Sequence, residues 1–128
     1  MPVNKIFQGS ISLSAQALDL ISAKQGLIQS NIANMHTPGY KPLDIPFAEV
    51  MQKVASTGGN LARTNAKHLS APQASAVQTG KPVQTNKQVD IEEEMLKLAE
   101  NQLRYQVVTK ILTKKFEGIR YVIDEGGK

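Results

Sequence analysis

The stretch NIANMHTPGYK, residues 31 to 41, decides the fold. Pro38 disfavours helical geometry in the residue before it, and the pair Pro38 and Gly39 suits the two central positions of a type II turn. A helix that reaches this stretch must therefore end a few residues before the proline. Tyr40 follows the turn directly, and we expect its side chain to point back toward the helices.

Two asparagines stand at the predicted end of that helix. Asn31 and Asn34 have the i and i+3 relation, so their side chains lie close together on the last turn. The last carbonyl groups of a helix have no partner within it. We expect the two amides to bond these carbonyls or a neighbouring stretch of backbone.

The segment before the turn carries apolar residues at helical spacing from about residue 10 to residue 34. This periodicity predicts a long helix, in which Ser14 and Gln25 interrupt the main apolar stripe. The stripe comprises Ile11, Leu18, Ile21, Ile28, Ile32 and Met35. A second line, about 110° away around the helix, comprises Leu13, Leu20 and Leu27.

The segment after the turn contains prolines at positions 42 and 46, which exclude a helix there. It is predicted to be extended, with Leu43, Ile45 and Phe47 on one face. A short helix is predicted next and should end at the STGG of residues 56–59. Its apolar positions are Phe47, Val50, Met51 and Val54.

A second long helix is predicted at the C-terminal end. Asp90 is a suitable N-cap with Glu93 at N3, and acidic residues 92–94 complement the helix dipole as a solvated helix start. The helix should run to about Ile123 and stop before the two glycines at 126 and 127.

This helix carries two apolar stripes on nearly opposite sides. One partner helix cannot cover both stripes. The first stripe comprises Ile91, Met95, Leu98, Tyr105, Leu112, Phe116, Ile119 and Ile123. The second comprises Leu96, Ala99, Leu103, Val107 and Ile111.

The pairing of the two long helices should bury one stripe from each. The second line of the first helix and the second stripe of the C-terminal helix are then expected to stay exposed. Because ordering the chain has a large entropic cost, we predict that the two helices order fully only between neighbouring subunits, and that a free subunit is partly disordered at both ends.

The predicted organisation is mainly α, with two long terminal helices packed as a coiled-coil-like pair. Residues 1–55 hold the first helix, the turn, the extended segment and the short helix, and residues 90–128 complete the same domain. Residues 56–89 between them are polar and are predicted to be a flexible, extended or weakly β insertion without its own core. All of the excess positive charge lies in the middle of the chain: residues 51–89 contain five basic residues and no acidic one.

Composition argues against several functional classes. There is no cysteine, so disulfides, thiolate metal sites and cysteine nucleophiles are excluded. His36 and His68 have no further ligand at metal-binding spacing, and no catalytic or phosphate-binding motif occurs, so we expect no catalytic, cofactor or metal site. The sequence is expected to contain no membrane-spanning segment and no cleavable signal peptide. The basic charges are too dilute for a specific nucleic-acid site.

The same motifs resemble a known family. Residues 31–41 are similar to the N-terminal signature of bacterial flagellar rod and hook proteins, and the segment LAENQLRYQ, with KKFEGIR after it, is similar to the proximal rod members in particular. The resemblance covers roughly residues 8–50 and 88–124. The signature positions that match are Asn31, Ala33, Asn34, Thr37, Pro38, Gly39, Tyr40 and Lys41.

The resemblance implies a structural subunit of the proximal rod, with a helical inner layer built from both termini and stacked around an export channel. It implies export without a cleaved leader through the flagellar type III apparatus, a location in the periplasmic rod, and a part in torque transmission. The implied partners are copies of the chain, other rod proteins, the basal adaptor protein and the membrane ring. Contact with anionic peptidoglycan through the basic segment is a further hypothesis.

Two other interpretations remain open on the residues alone. A cytoplasmic coiled-coil adaptor would share the helices but gives no reason for the Pro-Gly-Tyr break beside paired asparagines. A nucleic-acid-binding protein would use the basic segment.

Overall fold

The computed structural model of the protein describes residues 2–58 and 80–127, with side chains described from residue 9 to residue 56 and from residue 80 to residue 127. Within these ranges the fold is mainly α, and the two long terminal helices pack against each other, as predicted. The elements in chain order are α1 (Pro2–Ala33), β1 (Leu43–Asp44), α2 (Phe47–Gly58), β2 (Val83–Gln84) and α3 (Ile91–Gly126).

Helix α1 begins at Pro2 and ends at Ala33. The start lies earlier than the apolar periodicity predicts, and a proline is well suited to the first position of a helix because its missing N–H would be unpaired there. The end agrees with the prediction. The Tyr40 backbone N–H donates to the Thr37 carbonyl oxygen at 3.1 Å, and Gly39 has φ 75°, which confirms the type II turn.

Helix α3 begins where the sequence predicts. Asp90 is the N-cap, and its Oδ1 accepts a hydrogen bond from the Glu92 backbone N–H at 2.9 Å. The Glu93 carboxylate, expected in a capping box, forms an ion pair with Lys97 at 3.1 Å. The helix continues to Gly126, slightly beyond the predicted end at Ile123.

The apolar core lies between α1 and α2. Leu20 is fully buried and packs with Ile45, Val50 and Val54, while Leu13 and Leu27 are partly buried against them. The expectation that the second line of α1 stays exposed is therefore wrong. The segment between the prolines at 42 and 46 returns α2 to α1, and the apolar face of α2 covers this line.

A short antiparallel ladder ties the predicted insertion to the N-terminal half. Leu43 pairs with Gln84 and Asp44 with Val83, and the Thr85 N–H donates to the Pro42 carbonyl oxygen at 2.9 Å. Residues 59–79, which include His68 and two of the five basic residues, lie outside the described residues. The flexibility of the insertion therefore stays a prediction.

Helices α1 and α3 are antiparallel. Asn31, near the end of α1, bonds Glu94 in the first turns of α3, whereas the Ile21 carbonyl oxygen bonds Asn101 further along it. Over the described residues, no helix combines the length and the apolar character needed to cross a membrane.

Candidate functional site

The first feature of the candidate site is the buried amide of Asn31, which is 1% exposed. Its Oδ1 accepts hydrogen bonds from the Tyr40 hydroxyl at 2.9 Å and from the Leu43 N–H at 3.0 Å. Its Nδ2 donates to the Leu43 carbonyl oxygen at 2.8 Å and to Glu94 Oε2 at 3.0 Å. All four hydrogen-bonding positions of the amide are used. One side chain thus joins the end of α1, the turn, β1 and α3.

Glu94 supplies the charged partner in this cluster. Its side chain is 2% exposed, and its Oε1 accepts a hydrogen bond from Lys97 Nζ at 2.9 Å. Burial alone would lower the pKa of Lys97, but hydrogen bonds to Glu94 and Glu93 outweigh burial and raise its pKa. The ammonium therefore stays charged at physiological pH and compensates the buried carboxylate. The prediction that Glu94 belongs to a solvated helix start is wrong.

The rest of the signature lies nearer the surface. Asn34 Nδ2 donates to the Ser30 carbonyl oxygen at 2.8 Å, and the Thr37 hydroxyl lies 3.4 Å from Asn34 Oδ1. Lys41 Nζ lies 3.4 Å from Asn86 Oδ1. The residues that stay exposed are Ala33, Thr37, Pro38, Gly39 and Lys41. The structure bonds the half-buried Tyr40 to the buried Asn31 and leaves these five exposed between the end of α1 and the start of β1.

A second set of buried polar groups extends along α1. Lys24, which is 7% exposed, forms an ion pair with Asp44 Oδ1 at 3.0 Å and donates to the Ile45 carbonyl oxygen at 3.0 Å. Asn101 is 1% exposed, and its Nδ2 donates to the Ile21 carbonyl oxygen at 3.0 Å and to Gln25 Oε1 at 2.9 Å. Buried polar groups normally need such partners.

Two buried atoms in this region have no hydrogen-bond partner among the described residues, namely Asn101 Oδ1 and Arg104 Nη1. The Arg104 guanidinium lies over the Phe47 ring, 5.0 Å from its centroid, and makes a cation–π contact there. An open cleft of about 250 Å³ adjoins Asn101 and is lined by Gln25, Gln102 and Tyr105 among others. Asn101 is therefore held by its two N–H groups only.

The face of α3 that lies against α1 coincides with neither apolar stripe, although it shares Leu98, Leu112 and Ile119 with the first. Its buried or half-buried positions are Glu94, Lys97, Leu98, Asn101, Arg104, Val108, Leu112, Lys115 and Ile119. At about 100° per residue, the centre of this face lies about 60° from the centre of the first stripe and about 130° from that of the second. The α1–α3 contact, which we call the polar seam, is thus flanked by one apolar stripe on each side.

The predicted packing residues consequently divide into two groups. Ile21 and Ile28 of α1 are buried, and the half-buried members are Ile11, Leu18, Ile32, Leu98, Leu112 and Ile119. The exposed members are Met95, Leu103, Tyr105, Val107, Ile111, Phe116 and Ile123, which have 44–67% of their surface accessible. On α3 the only fully buried residues are polar, Glu94 and Asn101, so this helix presents most of its apolar surface to solvent.

The chemistry of the described residues is that of packing and hydrogen bonding. No group of three or more histidine, cysteine, aspartate or glutamate residues suited to a metal ion occurs in the described part of the chain. His36 is exposed, at the turn. Sequence reasoning missed Lys24, Glu94 and Asn101 as buried residues. The only available signal was the seven-residue spacing of Glu94 and Asn101, which places both on one helix face.

The chain is similar in sequence to proteins of the bacterial flagellum. No protein-family model matches the chain. It is 31% identical over 134 residues to the flagellar basal body rod protein FlgB of Yersinia enterocolitica, an alignment that covers 92% of this chain and 96% of that protein. Identity is 34% over 123 residues with FlgB of Cereibacter sphaeroides, covering 91% and 95%. With FlgB of Bacillus subtilis it is 31% over 129 residues, covering 96% and 98%.

Proposed function

This chain belongs to the FlgB family of flagellar basal body rod proteins, and we propose that it polymerises through the exposed apolar stripes of α3 to form the proximal rod. Its role is structural and serves motility. The observation that carries the proposal is that the only fully buried residues of α3, the longest helix described, are polar, while most of its large apolar side chains remain accessible. Contiguous apolar surface of this kind marks an interaction site.

One exposed stripe is large enough to contribute to assembly but does not by itself ensure a stable pair. Leu103, Val107 and Ile111 are 61%, 50% and 44% exposed. Full burial of such side chains stabilises by about 1.5–3 kcal/mol each, so completing it contributes about 1 kcal/mol per residue. With Leu96, the second stripe contributes about 4 kcal/mol, and the surface that it contacts on a neighbour contributes a similar amount, so the gain falls within the range of the cost of association, about 4–15 kcal/mol. Several contacts must therefore form together, which favours growth on an existing rod over free dimers.

The signature turn is the second surface that we assign to subunit packing. Its exposed residues are held rigidly because the Asn31 amide fixes both ends of the turn through Tyr40 and Leu43. A turn fixed in this way can contact a neighbouring subunit without a further loss of conformational entropy. In this proposal, helices of neighbouring subunits pack on the α3 stripes, and other parts of the neighbouring subunits contact the signature turn.

Family membership supports the finer assignments. We propose that the rod lies in the periplasm, that it is reached through the flagellar type III export apparatus, and that the terminal helices line the channel and transmit torque. The proposed neighbours are other copies, other rod proteins, the basal adaptor protein and the membrane ring. The exposed lysines at 53, 81 and 87 support the hypothesis of a contact with anionic peptidoglycan.

The test is Leu103→Glu compared with Gln52→Glu, which adds the same charge at an exposed position on α2. Because Leu103 is already exposed, the free energy of unfolding of the isolated chain should change by less than about 0.5 kcal/mol in both variants. We expect Leu103→Glu to be absent from purified basal bodies and to abolish swimming, whereas Gln52→Glu assembles. Normal incorporation of Leu103→Glu would contradict the proposal, and so would a wild-type pool confined to the cytosol of motile cells.

A further inference from the structure

We propose that Glu94 and Asn101 are positioning residues that fix the rotation of α3 about its own axis, and that they hold its apolar stripes outward for neighbouring subunits. The inference rests on the proposed function, because only assembly makes outward stripes useful. It concerns the register and orientation of one helix in the single chain, so it can be tested without any assembled rod.

The need for such residues follows from the apolar pattern of α3. A rotation of about 60° would bring the first stripe onto α1. Met95 and Tyr105, now 51% and 49% exposed, would then turn toward the apolar side of α1 near Ile28 and Ile21, and Phe116, now 56% exposed, would turn toward the N-terminal part of α1. The same rotation would return three half-buried cations, Lys97, Arg104 and Lys115, to solvent. Hydrophobic burial and charge solvation both favour the rotated arrangement.

Specific hydrogen bonds oppose that rotation. Glu94 Oε2 accepts a hydrogen bond from Asn31 Nδ2 at 3.0 Å. Asn101 Nδ2 donates to the Ile21 carbonyl oxygen at 3.0 Å and to Gln25 Oε1 at 2.9 Å. Turning α3 would separate these pairs and leave one N–H of the buried Asn31 amide without a partner. Because Glu94 and Asn101 are two helical turns apart on one face, they define both the rotation and the register of the helix. Buried polar pairs have this role in other helix assemblies, where they fix register at a cost in stability.

The unpaired atom of Asn101 supports this assignment. Its Oδ1 has no hydrogen-bond partner among the described residues, so the side chain carries a burial cost that an apolar residue would avoid. Only its two donor bonds to α1 compensate for that cost. The Arg104 guanidinium over the Phe47 ring is a third contact that opposes rotation in the same sense.

The test uses cysteine accessibility, which is practicable because the chain contains no cysteine. Single cysteines are placed at Leu103, Tyr105 or Val108 and labelled with a water-soluble maleimide in two backgrounds, wild type and Glu94→Ala/Asn101→Ala. In the double variant we expect labelling at position 105 to slow at least threefold and labelling at position 108 to accelerate at least threefold. Position 103 should be unchanged, because it faces away from α1 in both arrangements.

The matched control is Gln106→Ala/Glu117→Ala, which removes one amide and one carboxylate from exposed positions of the same helix. It should leave all three rates as in wild type. A second readout separates positioning from plain stabilisation: the double variant should keep wild-type helicity by circular dichroism and yet fail to enter basal bodies.

Two results would overturn the inference. One is an unchanged ratio of the rates at positions 105 and 108 in the double variant. The other is uniform, fast labelling, either in wild type or in the double variant, which would mean that α3 is not held by these residues in one orientation. Neither result would affect the proposed function, which depends on the fate of Leu103→Glu in the assembled rod.

Discussion

Replacing Asn31 with alanine should destabilise the chain far more than the same change at Asn34, although both asparagines belong to one turn motif. The Asn31 carboxamide forms hydrogen bonds with the Tyr40 hydroxyl, with the N–H and carbonyl groups of Leu43, and with Glu94. Truncation leaves the two Leu43 groups without this partner, at about 1–3 kcal/mol each. The Tyr40 hydroxyl and Glu94 lose less, because Tyr40 is half-buried and Glu94 keeps Lys97.

For Asn31→Ala the two Leu43 groups sum to about 2–6 kcal/mol, a large part of the roughly 5–15 kcal/mol by which small domains are stable. Asn34 bonds only Ser30 and Thr37 at the surface, so Asn34→Ala should cost less than about 1 kcal/mol. Equilibrium urea unfolding followed by far-ultraviolet circular dichroism measures both. A loss below about 1 kcal/mol for Asn31→Ala, or equal losses for the two variants, would refute the role that we give to the buried amide.

Three further predictions concern the turn, the basic segment and the free subunit. Gly39→Val should strain the backbone by about 1–3 kcal/mol at φ 75° and prevent assembly without reducing synthesis. Gly39→Asn should assemble, because asparagine tolerates positive φ. The yield of basal bodies measures both, and a normal yield for the valine variant would discredit the role of the turn. The space around the Gly39 Cβ position is open, so backbone strain and not a clash is what the valine tests. Changing the five basic residues of 51–89 to glutamine should abolish binding to purified peptidoglycan at low salt, and unchanged binding would remove that hypothesis. Circular dichroism of the isolated chain should give less helix than α1 and α3 contain, because the start of α1 and the end of α3 lack neighbouring subunits. Full helicity of the isolated chain would argue against ordering on assembly.

Local signals in the sequence predicted most of the element boundaries. The end of α1, the type II turn with a positive φ at Gly39, and the N-cap at Asp90 each depend on residues within a few positions of one another. The inward direction of Tyr40 was predictable for the same reason, since the turn reverses the chain beside the last turn of α1. Such features require no knowledge of distant contacts.

Features that depend on distant parts of the chain were not predictable in the same way. Leu20 was expected to be exposed because its apolar line had no obvious partner, yet the short α2 returns over it. Glu94 was expected in solvent because it follows two other acids, yet the packing of α3 places it beside Asn31, sixty-three positions away. Periodicity identifies the apolar faces of a helix but does not determine which face meets its neighbour. Here the polar pairs determine that choice.

The most direct test of the central claim is an image of the assembled basal body at side-chain resolution. The claim is that the stripes of α3 that are exposed in the single chain are the interfaces between subunits. We predict that Leu103, Val107 and Ile111, all at least 44% exposed in the single chain, are buried against helices of neighbouring subunits in the rod. Finding these three side chains in contact with solvent or with the open channel, in a rod held together by other surfaces, would contradict the account.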